Sequence, residues 1–252
     1  MGWYSDGCCL FWKQTIFDLV SEHRFNFKVG SQGAMIVVLR HRQSQKSIVV
    51  AITHLKAQQN KVNERIRYSK CAPPLATFFM SYYQFILTHY FPNCYIVQAD
   101  ELLDRIEITA VQTAACDGID VKDVPLLILG DFNADPPAQN FTTSDSAVGL
   151  VLNGRTGAKK WFSKLYRRLM GKKTTRFRSA YEIDSPGERC YTTWKTRGPS
   201  TSKRTIDYIF HSERLKCTAI LPVPSPEELE ENKLPGLRNP SDHLMIAAKF
   251  QI

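Results

Sequence analysis

The segment LLILGDFNADP, Leu126 to Pro136, constrains the fold more than any other stretch of the chain. Leu126, Leu127, Ile128 and Leu129 form an unbroken aliphatic run between Pro125 and Gly130. A short run that is apolar at successive positions reads as a strand buried on both faces. Such a strand belongs inside a layered domain. The run then stops at Gly130-Asp131-Phe132-Asn133. Gly, Asp and Asn are ordinary turn formers, so this ending taken alone says only that the strand turns.

Other segments have the length and branching of strands: MIVVLRH (35–41), SIVVAITH (47–54), RTIDYIFHS (204–212) and LMIAAKF (244–250). The first two are joined by RQSQK, a polar connection suited to a hairpin. Helical periodicity occurs at about 61–70, at 98–115 and, in a basic amphipathic form, at 159–170. Strands and helices mixed without regular βαβ alternation indicate an α/β sandwich with mixed sheets. LPVPSPEELEENKLPG (221–236) reads as a Pro-rich loop around a short acidic turn. The expected organisation is one domain over 1–252, with insertions at 71–97 and, as a basic loop or helix, at 142–178.

Composition narrows the setting. With 43% hydrophobic residues in 252, the chain can bury a real core. Its seven cysteines lack zinc-finger spacing and are odd in number, which argues against a disulfide framework and for a reducing compartment. No secretory signal is visible, and Asp6 spoils the myristoylation pattern. The net charge of +9 is local: Arg155 to Arg178 holds ten Lys or Arg and no acid. Trp161, Phe162, Tyr166 and Phe177 lie among those charges, a pattern that contacts phosphates and stacks on bases, or else a solvated basic loop. Cys71 to Ala99 has no charged residue in 29 positions, but Pro74 and Pro92 leave only 17 between them. A membrane helix needs about 20, so no membrane span is expected. A buried helix or an insertion interrupting a longer helix are the competing readings.

The strand ends carry the chemistry. SIVVAITH stops at Thr53-His54, LLILGD at Asp131 with Asn133 beyond it, and RTIDYIFHS carries Asp207. Asp242-His243 immediately precedes the last strand-like segment. One such residue is usually a cap; four at strand ends are placed to converge on one rim of a sheet. Carboxylates, an amide and imidazoles suit a Mg²⁺ phosphoryl site, and soft ligands for zinc are missing.

GDFN (130–133), TIDYIF (205–210) and SDHL (241–244) resemble the motifs of the endonuclease/exonuclease/phosphatase superfamily. DGCCLFWK (6–13), THLKA (53–57), YTTWK (191–195) and NPSDHL (239–244) are similar to its nocturnin branch, among the carbon-catabolite-repressor-type deadenylase relatives. The resemblance implies a DNase I-like, four-layer α/β sandwich of two mixed sheets and a Mg²⁺-dependent phosphoesterase. It implies that Asp131 aligns or deprotonates water, with Asn133 orienting that water and binding phosphate. His243 would contact the scissile phosphate, oriented by Asp207, and His54 would bind a non-bridging oxygen. Asp242 would assist the metal, while Lys56 and Trp194 would meet the substrate. Gly130 is expected to let the backbone approach phosphate.

The pattern is incomplete. The superfamily's Asn-bearing strand and the Glu that is its principal metal ligand have no counterpart here, and Glu22 falls in what reads as a connecting segment. Gln58 stands where the nocturnin branch tends to carry a basic residue. An N-terminally truncated chain is therefore expected, lacking the first strands. The implied substrate is the poly(A) tail of RNA or the 2′-phosphate of NADP(H). The alternative is a catalytically dead product that binds RNA or a protein partner. A cytoplasmic monomer is expected, with a mitochondrial or nuclear address if an N-terminal segment is missing.

Overall fold

The computed structural model describes residues 7–56, 94–136, 147–153, 176–182, 191–229 and 233–251. Strands β1 (Phe17–Asn26), β2 (Gly33–His41), β3 (Ser47–His54), β4 (Leu126–Asp131), β5 (Phe177–Ser179) and β8 (Asp207–Ser212) form one sheet. Its order is β1-β2-β3-β4-β8-β5. Among the described residues β3 and β4 are parallel and the other pairs antiparallel, so the sheet is mixed. Two antiparallel ribbons accompany it: β6 (Thr193–Arg197) with β7 (Ser200–Arg204), and β9 (Lys216–Ile220) with β10 (Ala248–Gln251).

The helices α1 (Cys94–Asp117) and α2 (Ala147–Asn153) cover one face of the sheet. On α1, Tyr95, Ala99, Leu102, Leu103, Ile106, Ala110 and Ala114 recur at helical spacing and pack on Ile36, Val49, Ala51, Leu126, Ile128 and Phe210. The opposite face carries Val37, Leu39, Ile48, Val50 and Leu215, with Leu127, Leu129, Trp12 and Phe250 partly buried against them. β4 thus buries Leu126 and Ile128 fully but Leu127 and Leu129 only in part, a milder arrangement than burial on both faces.

The expected β2, β3 and β4 form as read, and the 98–115 helix lies inside α1. Cys94–Val97, the end of the uncharged stretch, belongs to α1 as well. The other expectations for 61–70, 71–97, 142–178 and 159–170 fall outside the described residues, apart from α2 and the start of β5. No helix among the described residues is long and apolar enough to cross a membrane.

Three readings need correction. The segment around Glu22 is no connection but β1, the outermost strand, in which Leu19 and Val20 are exposed along with Asp18, His23, Arg24 and Asn26, so no apolar alternation marks it as a strand. The 204–212 strand is split, because Arg204 pairs with Thr193 in β7 while β8 begins at Asp207. The last strand begins at Ala248, not Leu244. The Leu244 amide donates to the Thr192 carbonyl and the Ala247 amide to the Tyr181 hydroxyl, at 2.8 and 3.0 Å, so neither joins a ladder.

Gly130 is required where β3 meets β4. It lies opposite Thr53 with φ +148°, and a Cβ built there would stand 1.9 Å from the Thr53 carbonyl oxygen. The close approach shown here is strand to strand. Gly118, just past α1, has φ +66° but nothing within 4 Å of a built Cβ. Gly118→Ala is expected to cost roughly 1 kcal/mol, the left-handed backbone penalty alone. Gly130→Ala is expected to cost roughly 3 kcal/mol or more, because two backbones must move apart. Denaturant unfolding of both variants checks this, and equal losses would contradict the role given to Thr53.

Candidate active site

The register of three strands assembles the site. His54 at the end of β3 lies opposite Asp131 at the end of β4, and Asp131 lies opposite Asp207 at the start of β8. Partners opposite each other in a sheet project to the same face, so the three side chains sit side by side. The backbone continues this alignment past the strands. The Leu55 amide donates to the Asp131 carbonyl at 2.8 Å and the Phe132 amide to the Ile206 carbonyl at 2.7 Å.

His243 reaches the cluster from the loop before β10. Its Nδ1 lies 2.8 Å from Asp207 Oδ2, and its Nε2 lies 4.0 Å from Asp131 Oδ2. An ionised Asp207 accepts from a protonated Nδ1, which orients the ring. This hydrogen bond is the main reason the His243 pKa is raised, with burial opposing it and the charges of Asp207 and Asp131 adding to it. His54 Nε2 stands 3.5 Å from Asp131 Oδ2. The Asp131 pKa is raised, chiefly by burial and further by the charge of Asp207, while the Asn133 amide and both imidazoles pull it down.

Asp131, Asp207 and His243 can each offer one ligand atom, all within 4.8 Å of one another. Two carboxylates on adjacent strands, one of them made reluctant to ionise by burial, form a donor set that a divalent cation relieves. The residues present therefore fit a hard metal ion. Asp242 stands one step out: its Oδ1 is 4.0 Å from His243 Nε2, and its Oδ2 takes a 2.5 Å bond from Lys195 Nζ. That bond is the leading cause of its lowered pKa.

Asn133 has a local task. With φ +50° it occupies the left-handed region that Asn tolerates. Its amide N–H donates to Asp131 Oδ1 at 2.7 Å, and its side-chain Nδ2 donates to the Leu55 carbonyl at 2.8 Å. Lys56 lies two residues beyond β3, its amide donating to Gln98 Oε1 at 2.9 Å. Trp194 on β6 packs edge-on to Tyr191 beside Leu229, Leu234 and Leu244, with Lys203 and Lys233 over its ring at 4.4 and 4.6 Å. Its indole N–H is buried without a hydrogen-bond partner among the described residues.

Several residues that hold the site were not singled out from the sequence. Gln98 on α1 is fully buried and donates to the Val29 carbonyl at 2.7 Å while accepting from Lys56, so it ties the helix to the exit of β3. Lys195 engages Asp242. Thr192 Oγ1 accepts from the Ile206 and Asp207 amides at 3.0 and 3.1 Å, and Thr193 Oγ1 donates to the Asp242 carbonyl at 2.7 Å. The YTTWK motif was visible, but only resemblance marked it, because side-chain bonds to distant backbone leave no local signal. Thr192→Val orphans two amides of which at least Ile206 N is buried, and is expected to cost roughly 2–4 kcal/mol. Thr192→Ser, which keeps the hydroxyl, should lose much less in the same thermal unfolding measurement; equal losses would place the cost in packing instead.

Comparison with known proteins bears on the family and the fold. The model of the Endonuclease/Exonuclease/phosphatase family matches residues 67–243. Nocturnin of Xenopus laevis is 29% identical over 253 residues, covering 97% of this chain and 48% of that protein. The chain thus spans about half the length of the curated relatives it matches. The human Nocturnin catalytic domain with bound sulfate superposes with a TM-score of 0.54 at 21% identity, covering 94% of this chain and 61% of that one. ANGEL2, a 2′,3′-cyclic phosphatase, superposes with a TM-score of 0.60 at 22% identity, covering 95% and 68%. Both structures share the fold. With a family model that matches well over half of the chain, this protein belongs to the Endonuclease/Exonuclease/phosphatase family, and its whole described length is similar to nocturnins.

Proposed function

We propose that this site is a Mg²⁺-dependent phosphoesterase centre for adenosine phosphates, acting on the 3′ poly(A) end of RNA in preference to the 2′-phosphate of NADP(H). The observation that carries it is the gathering of Asp131, Asp207 and His243 within 4.8 Å at one rim of the sheet. Asp131 takes the proton of the attacking water, a task suited to a carboxyl whose proton affinity burial has raised. Asn133 keeps Asp131 aimed by its backbone bond. Asp207 orients His243, and the raised pKa of His243 favours the charged imidazolium, which binds a phosphate oxygen. His54, whose Nε2 stands 3.5 Å from Asp131 Oδ2, is placed to meet a phosphate oxygen beside the reacting centre. Mg²⁺ would be held by the Asp207 carboxylate with Asp242 near, and would supply charge that offsets the negative charge developing on phosphate. The ten basic residues from Arg155 to Arg178 favour a long polyanion over a dinucleotide.

A second reading, a chain that binds RNA or a protein partner without catalysis, rests on one observation. Among the described residues the acid cluster contains no glutamate, and Glu22 lies on β1, at the far edge of the sheet.

With Mg²⁺, the purified chain is expected to shorten poly(A) RNA and release 5′-AMP, with affinity falling as salt rises. Chelation should abolish this. Asp131→Asn and His243→Asn should each lower kcat by on the order of 100-fold or more without a matching loss of thermal stability. Release of phosphate from NADP with RNA untouched would overturn the choice of substrate. Absence of hydrolysis of both, with no heat of Mg²⁺ binding by titration calorimetry, would decide for the binding-only chain.

A further inference from the structure

The peptide that joins Leu55 to Lys56 lies just past the end of β3, and side chains take both of its polar groups. The Lys56 N–H donates to Gln98 Oε1 at 2.9 Å, and the Leu55 carbonyl accepts from Asn133 Nδ2 at 2.8 Å. The N–H and C=O of one trans peptide share a plane and point in opposite directions. A bond that fixes the N–H therefore fixes the carbonyl as well. Gln98 on α1 and Asn133 beyond β4 grip one rigid plate from its two sides. From Asn133 the connection runs on to the reacting centre, because its own N–H donates to Asp131 Oδ1 at 2.7 Å.

Each end of this chain of bonds needs the other. Asn133 holds φ +50°, a region that residues other than glycine keep only where their surroundings hold them there. Gln98 is fully buried, and a buried amide is unfavourable unless its bonds are made. They are made: its Nε2 donates to the Val29 carbonyl at 2.7 Å while its Oε1 takes the Lys56 N–H. Since one partner only accepts and the other only donates, the amide has a single orientation. Gly30 closes the space behind it, for a Cβ built there would stand 2.6 Å from Gln98 Nε2.

We propose that Gln98 is a positioning residue for Asp131, acting through the peptide between Leu55 and Lys56 and then through Asn133. The proposal rests on the phosphoesterase reading of the acid cluster and deepens it, since it assigns the aim of the water-activating carboxylate to a residue on the covering helix. A misplacement of about 1 Å in a reacting group can cost on the order of 100-fold in rate. Asp131 acts on the water, so a loss of aim falls on kcat and leaves KM nearly unchanged.

The test compares Gln98→Met, which keeps the side-chain length and removes its bonds, with Leu103→Ala, a buried position on the same helix outside this chain of bonds. Native-state hydrogen exchange of the full chain, read by NMR, follows the backbone amide of Asn133 against that of Ile128 in the core of β4. Gln98→Met is expected to speed Asn133 relative to Ile128 by about tenfold or more. Leu103→Ala should change the two amides alike. If Gln98→Met does not fold, Gly30→Ala, which presses on the Gln98 amide from the β1–β2 turn, should give the same differential exchange. With Mg²⁺ and poly(A) RNA, Gln98→Met should lower kcat on the order of tenfold with KM nearly unchanged, while Leu103→Ala leaves the kcat of the folded chain as it was. Equal acceleration of both amides, or a kcat loss that Leu103→Ala matches, would overturn the positioning role. Hydrolysis by a chain in which Gln98→Met changes neither exchange nor kcat rejects the role of Gln98 and leaves the phosphoesterase. No hydrolysis by the unaltered chain rejects the phosphoesterase, and the exchange comparison then decides on Gln98 by itself.

Discussion

The site depends on the contact between the Thr53 carbonyl and the Cα of Gly130. A Cβ built at Gly130 would stand only 1.9 Å from the Thr53 carbonyl oxygen. His54 and Asp131 are the next register partners of that pair, so they leave the sheet at the same level. The antiparallel pairing of β4 with β8 then brings Asp207 to that level as well. Three titratable groups from three distant segments become neighbours through register alone. A slip of one residue in either pairing would turn a member of the set to the other face.

Around that register the charges are arranged by a few dedicated bonds. Asp207 receives two kinds of support: its backbone amide donates to Thr192 Oγ1 at 3.1 Å, and its carboxylate holds His243 at 2.8 Å. Asp131 is steadied by the Asn133 amide. Asp242, one residue from His243, is held by Lys195 and keeps its charge. The result separates two kinds of carboxylate. Asp131 has raised proton affinity because it is buried beside a like charge. Asp242 has lowered affinity because an ammonium touches it. Groups whose environments push them in opposite directions divide the labour of an active site.

The β6–β7 ribbon links these parts. Its leading residues, Tyr191 to Thr193, are buried, and its threonines bond both the start of β8 and the loop that carries Asp242. On one side of the ribbon Trp194 joins the small apolar cluster, and the next residue, Lys195, reaches Asp242. The alternation of a strand thus serves packing and electrostatics with consecutive residues.

What the sequence determined by itself is the set of elements whose signal is local. The aliphatic runs of β2, β3, β4 and the core of β8 are strands because each buries its own side chains, and α1 is a helix because its apolar residues recur every three or four positions. The polar residues ending those runs, His54, Asp131 and Asp207, together with His243, were legible because nothing in packing requires them. Tertiary structure alone decided the rest. β1 is an edge strand with Leu19 and Val20 exposed among polar residues, and the β6–β7 ribbon is polar except at its root, so neither carries a hydrophobic period. The final strand starts late because the amides of Leu244 and Ala247 are taken by Thr192 and Tyr181 from elsewhere in the chain. Gln98, Thr192 and Lys195 act through bonds to backbone or charge 42, 15 and 47 residues away, and sequence spacing holds no record of such distances. Gly130 shows the division within one residue: the sequence marks the need for a glycine, and only the fold reveals that the neighbour requiring it is the next strand.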